Sequence, residues 1–257
     1  MLVDSHCHLD RLDLQYFQKD LTQLLTLARE AGVIHFLCVC IDLENFPKVL
    51  AIAEKFSDVS ASVGIHPTEE ILNEPTLNKL IELAEHPKVV AIGETGLDYY
   101  REKYKKAEQQ ARFRRHIQAA IAVNKPLIVH TRAAREDTIA ILKEEDAQKI
   151  GGVLHCFTED MTMATAAIEI GFYISFSGIL TFKNAKDLQS IAQKLPIERI
   201  LIETDSPYLA PMPFRGKSNQ PAYVRYVAEK LAELHHLPFE KIAEQTTANF
   251  FKLFLPA

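Results

Sequence analysis

No apolar run in the 257-residue chain is long enough to span a bilayer. Nor does it open with a basic segment, an apolar stretch and a cleavage pattern. Strand-like sequence starts at Leu2-Val3, and a cytoplasmic protein is expected. The cysteines Cys7, Cys38, Cys40 and Cys156 form no Cys-x-x-Cys and no disulfide framework, so reduced, buried thiols are expected. Strand alternation turns Cys7 away from His6 and His8, and Cys156 away from His155. No Gly-x-Gly-x-x-Gly follows a strand-like run, which leaves a dinucleotide site without support. Positive charge is not in excess: 29 Lys and Arg against 34 Asp and Glu give a net charge of -5. That argues against coating duplex DNA by bulk electrostatics, but not against holding a few phosphates through metal ions. No low-complexity stretch, short repeat or linker divides the chain, so one domain over residues 1–257 is expected. Neither a membrane nor an obligate protein partner is indicated.

What is present is ordinary globular material, 47% hydrophobic and 25% charged. Strand-like runs fall at Leu2–His8, Val33–Ile41, Val59–Ile65, Val89–Glu94, Leu127–Thr131, Gly152–Phe157, Tyr173–Ser177 and Ile200–Asp205. Helical patterns lie near Gln18–Ala31, Leu43–Phe56, Thr76–Glu85, Lys105–Val123, Ala134–Glu145, Met161–Ile170 and Ala185–Lys194. Two more follow the last strand, near Ala222–His235 and Phe239–Phe254. Eight strands alternating with helices in this length predict a (β/α)8 TIM-type barrel, with an open doubly wound sheet as the alternative.

Barrel active sites form at the C-terminal ends of the strands. The first strand ends at His6 and His8, the fourth at Glu94, the fifth at His130, the sixth at His155 and the eighth at Asp205; the third runs into His66. Metal-type ligands thus terminate six otherwise apolar strands. His6 and His8, two residues apart, share a strand face, as do Glu203 and Asp205. Asp4 shares the face of the two histidines and is expected to orient an imidazole. Four histidines and two carboxylates exceed what one structural zinc needs and suit two divalent ions bridged by a carboxylate. Zinc, manganese and magnesium all fit such donors.

Seven segments resemble the TatD family of metal-dependent deoxyribonucleases, within the amidohydrolase-like barrels. They are Val3–Asp10, Gly64–Pro67, Ala91–Asp98, Pro126–Arg132, Gly152–Phe157, Ile202–Leu209 and Thr247–Phe250, spanning nearly the whole chain in the family's order. The resemblance implies that His6, His8 and Asp205 hold one ion, that His130 and His155 hold the other, and that Glu94 bridges them. It also implies hydrolysis of phosphodiesters in nucleic acid, often from a 3′ end, and favours a functional role for His66. Single-stranded DNA ends are the expected substrate, with RNA open.

Other residues keep two readings. Glu203 is an interior ion-pair residue or positions the attacking water. Arg132, two residues after His130, is a fork for phosphate or an exposed salt-bridge residue. Arg101, Lys103, Lys105 and Lys106 beside Tyr99, Tyr100 and Tyr104 form a strand-binding cluster or a solvated helix start. Arg215 and Lys217, in the Pro-rich stretch after the eighth strand, are read as a substrate-contacting loop. His35, His86, His116, His235 and His236 are not assigned to metal. The enzyme alternative is a C–N or lactone hydrolase. The resemblance also implies that many related binuclear barrels carry a carbamylated lysine where this chain has Glu94, and Lys88 lies at the strand's other end. A non-catalytic metal-binding adaptor is the remaining alternative.

Overall fold

The computed structural model of the protein describes residues 1–15, 20–101 and 105–255. Eight strands, β1 (Leu2–Cys7), β2 (Val33–Cys38), β3 (Val59–Val63), β4 (Val89–Asp98), β5 (Leu127–Arg132), β6 (Gly152–Leu154), β7 (Tyr173–Phe176) and β8 (Ile200–Ile202), pair in sequence order. Every pair is parallel. Among the described residues, seven α-helices connect them: α1 (Leu21–Glu30), α2 (Phe46–Lys55), α3 (Leu77–Ala84), α4 (Lys106–Val123), α5 (Arg135–Glu144), α6 (Met161–Glu169) and α7 (Lys186–Lys194). α8 (Val224–His235) and α9 (Phe239–Phe254) follow β8. This is the (β/α)8 barrel. Its first and last strands meet where His8 N–H donates to Ser206 O (2.8 Å) and Asp205 N–H donates to His6 O (2.9 Å). The seam therefore closes at three of the expected ligands.

Local chemistry explains the helix starts. Asp20 accepts from Thr22 N–H, Thr76 from Lys79 N–H and Asp160 from Met163 N–H, caps worth about 1 kcal/mol each. α2 begins three residues later than Leu43, with Pro47 in its first turn, where a missing N–H costs nothing. Gln18, the expected start of the first helix, lies outside the described residues.

The barrel interior is layered. Val3, Leu37, Val39, Val90, Ile128, Val153, Tyr173 and Leu201 fill its lower part, with Phe250 and Phe254 of α9 packed against them. The polar residues sit above this plug, at the C-terminal ends of the strands.

The strand ends differ from the expected ones, most tellingly in β4, β6 and β8. β4 runs past Glu94 to Asp98, so Glu94 stands mid-strand, where the register against β5 shifts between Ile92 and Thr95. Gly96 pairs with His130 there, and a Cβ at Gly96 would lie 2.0 Å from His130 O. At a φ of +133°, only glycine fits. β6 and β8 stop early, because Cys156 and Asp205 adopt left-handed φ of 43° and 57°.

Candidate active site

Glu94 is the hub. Its Oε1 lies 2.8 Å from His155 Nε2, 3.2 Å from His130 Nδ1 and 3.3 Å from His66 Nε2. Its Oε2 lies 3.3 Å from His6 Nε2. Asp205 Oδ1 stands 3.3 Å from His8 Nε2 and 3.6 Å from His6 Nε2, so β8 completes the group begun by β1. All of these side chains except His130, His66 and Asp205 are buried. Burial alone would raise the Glu94 carboxyl, but the charge on His155 and the hydrogen bonds from His130 and His155 outweigh it and hold it well below the carboxylate range. Burial likewise opposes charge on His155, yet Glu94 and Glu203 hold its imidazolium well above the ordinary value. In the metal-free protein, protons on His8, His130 and His155 thus compensate the carboxylates.

Hydrogen bonds on the far side of each ring sort the histidines. His8 Nδ1 faces Val39 O at 3.0 Å, and a carbonyl only accepts. The proton is on Nδ1, and Nε2 is free to ligate. His155 Nδ1 faces Glu203 Oε1 at 3.2 Å with the same result. His130 turns Nε2 to Asp98 Oδ2, 3.3 Å away, and presents Nδ1 to Glu94. His66 is the reverse case. Thr68 N–H donates to its Nδ1 (3.2 Å), so the neutral ring carries its proton on Nε2. Burial pushes His66 down to about 3 against the pull of Glu94, which keeps the ring neutral. It is a fixed N–H donor aimed at the Glu94 cluster.

The donor set suits divalent cations. Ligand atoms of His6, His8 and Asp205 lie within 4.8 Å of one another, as do those of His66, Glu94 and His130. His155 Nε2 is buried and close to Glu94 but makes no well-directed hydrogen bond, the state of a ligand atom aimed at an ion. A family model described as TatD related DNase matches residues 3–255. The chain belongs to the TatD family of metal-dependent hydrolases. It is 49% identical over 254 residues to the uncharacterized metal-dependent hydrolase YcfH of Escherichia coli K12, covering 98% of this chain and 95% of that one. YabD of Bacillus subtilis, named in the same way, is 43% identical over 255 residues, 99% of each chain. The solved structure of YjjV, a TatD homolog from Escherichia coli, has a TM-score of 0.90 at 30% identity, covering 98% of this chain and 97% of that one.

Above the TatD-family cluster opens a cavity of about 630 Å³, lined by His8, His66, Glu94, His130, His155 and Asp205. Arg11, Arg101, Arg132 and Tyr208 also line it. Glu203 does not; it is buried behind His155. Tyr99 packs away from the cavity, its hydroxyl bonded to Asp137 (2.7 Å) and Lys106 over its ring. Tyr100 is exposed, with the Arg132 guanidinium 3.9 Å over its ring. Arg215 and Lys217 are exposed on the loop after β8, over the rings of Phe182 and Phe214. Lys103 and Tyr104 lie outside the described residues.

Two parity expectations fail. Asp4 meets no imidazole ring: it accepts from Thr204 N–H (2.8 Å) and Thr204 Oγ1–H (2.5 Å), and so braces the turn before Asp205. The β1 register shifts between Asp4 and Cys7, so alternation does not carry from Asp4 to the histidines. Cys156 lines the cavity instead of packing against helices, because β6 has already ended.

Three residues escaped sequence reasoning. Asp98 holds His130, and its even spacing from Glu94 was the available signal. Thr68 holds His66. Asn219 donates to Thr204 O (2.8 Å) and Tyr208 O (2.6 Å), tying the Pro-rich loop back onto the Asp205 turn; nothing local in the sequence marks it. Of the unassigned histidines, His116 accepts from Ile65 N–H, His86 pairs with Glu54 and His235 meets Ala192 O. Lys88 bonds Phe56 O and Val59 O, away from Glu94.

Proposed function

We propose that this TatD-family hydrolase is a nuclease, cleaving phosphodiester bonds at the ends of single-stranded DNA, with residues 1–257 acting as one catalytic domain. RNA offers the same scissile group. The observation that carries the reading is the Glu94 carboxylate shared between two histidine groups, on the floor of a cavity walled by Arg11, Arg101 and Arg132. An anionic floor that takes cations, beneath a cationic wall, suits a phosphodiester. The mouse relative TATDN3, 33% identical over 267 residues, is named provisionally as a deoxyribonuclease, which supports the same reading.

Two divalent ions fit, one on His6, His8 and Asp205, the other on His130 and His155, with Glu94 between. When bound, they would supply an activated water at neutral pH and positive charge for the transition state. The protein's own groups do the rest. Asp205, the most exposed carboxylate of the cluster, takes the proton released by the attacking water. His66 donates its Nε2–H to a phosphoryl oxygen. Glu203 keeps the His155 ring turned with Nε2 forward, and Asp98 orients His130. Because the cluster lies on the cavity floor, a strand end gains access more readily than a duplex interior. Digestion from a 3′ end follows the family resemblance.

The test is cleavage of end-labelled single-stranded DNA, RNA and blunt duplex across zinc, manganese and magnesium, with product ends mapped. Cleavage of single strands, abolished in Glu94→Ala, is expected. If no oligonucleotide is cut with any ion while an amide or lactone is hydrolysed, the rival hydrolase replaces the nuclease.

A further inference from the structure

Among the described residues, Arg132 differs from the other arginines of the cavity wall in having no ion-pair partner. Arg11 is held by Asp42 at 2.9 Å, and Arg101 donates to Thr68 Oγ1 at 3.2 Å and stands 3.9 Å from Asp98. Among the described residues no carboxylate pairs with Arg132, although it is exposed and lines the same cavity as Glu94 and Asp205. The carbon of its guanidinium lies 3.9 Å from the Tyr100 ring centroid. That contact steadies the fork, and a guanidinium stacked by its face can still offer N–H groups at its edge. Tyr100 is 64% exposed, which leaves ring surface open to a stacking partner. Arg132 also stands at a set distance from the cluster. It lies two residues beyond His130 on β5, about 6.6 Å further along the strand.

We propose that the stacked Arg132–Tyr100 pair is a subsite for the nucleotide next to the scissile bond: the guanidinium fork takes that nucleotide's phosphate, and the Tyr100 ring stacks its base. This deepens the nuclease reading and rests on it. The substrate class it selects is a strand carrying a second phosphate beside the one being cut. Isolated phosphodiesters lack that handle and are recognised by the cluster alone. A guanidinium fork suits the two oxygens of a phosphate, whereas stacking on tyrosine is tolerant of base identity. Little sequence preference follows.

Two measurements test it. The first is calorimetric binding of thymidine 3′,5′-bisphosphate and thymidine 5′-monophosphate to the full chain in zinc, manganese or magnesium. Arg132→Gln should weaken the bisphosphate about 10- to 100-fold and leave the monophosphate within about 2-fold. Tyr100→Leu, which keeps apolar bulk without the ring, should weaken the bisphosphate about 5- to 100-fold. Circular dichroism confirms that each variant is folded. The second measurement compares kcat/KM for an oligonucleotide with that for bis(4-nitrophenyl) phosphate, whose single phosphate has no neighbour. Arg132→Gln should lower the first and spare the second. Unchanged bisphosphate affinity in both variants, or equal weakening of the monophosphate, overturns the subsite. If the wild-type chain cuts no oligonucleotide yet the bisphosphate still loses affinity in Arg132→Gln, the nuclease reading fails and takes with it the place of the pair beside a scissile bond.

Discussion

His116 should make the fold acid-sensitive by an amount that can be worked out. It is fully buried on α4, its Nδ1–H donates to Arg112 O (2.8 Å), and its Nε2 accepts from Ile65 N–H (3.1 Å), the residue before His66. Both ring nitrogens are committed to the neutral form. Burial pushes the ring down from 6.5 to about 4, with the bond to Arg112 O opposing. The unfolded chain therefore takes up this proton first as the pH falls. The associated stability is intact above about pH 6.5 and is lost progressively toward pH 4. Integrated from about pH 7.5 to about pH 4.5, the loss is about 2.5 kcal/mol. His116→Gln offers an acceptor and a donor but no proton. It should cost about 1–3 kcal/mol at neutral pH and remove this part of the pH dependence. The assay is urea unfolding of the metal-free protein followed by circular dichroism, because the chain has no tryptophan. The wild-type and variant stabilities should converge as the pH falls, by about 2.5 kcal/mol. Parallel curves would show that His116 is not held neutral, and would refute the reasoning.

Glu94→Gln should keep the fold but lose both hydrolysis and part of the bound metal, read by metal content after dialysis; retention of both removes Glu94 from the centre. On the proposed assignment His6 and Asp205 share one ion, so the combined loss in log kcat/KM of His6→Ala and Asp205→Asn should be smaller than the sum of the two, and additive losses would separate them. Asp98→Asn should weaken the ion on the His130 side by about 10- to 100-fold while leaving the circular dichroism spectrum unchanged, and an unaltered affinity would make Asp98 a bystander. In the metal-free protein the raised pKa values of His8, His130 and His155 stabilise the fold below about pH 6.5, and this is lost as the pH rises through those values. Added zinc should therefore raise Tm more at pH 8 than at pH 6, because fewer protons must be displaced; an equal rise at both would contradict it.

Sequence by itself determined the barrel, and it named most of the histidines and carboxylates that the structure gathers around Glu94. Strand-like runs alternating with helical ones are a local signal, and a polar ligand ending an apolar strand is visible in a single segment, as at Leu127–Arg132. Period-2 alternation also brought His6 and His8 to one face. Tertiary structure decided what alternation cannot carry across an irregularity. The register shift in β1 sent Asp4 to Thr204, and the left-handed turn at Cys156 moved its thiol into the cavity. The shift in β4 placed Glu94 mid-strand, with Asp98 behind His130. Which nitrogen of each histidine faces the carboxylates of the cluster was set by partners distant in sequence, Val39 O for His8 and Glu203 for His155. A hydrogen bond between residues 31 or 48 positions apart is a property of the closed barrel, and no window of sequence contains it.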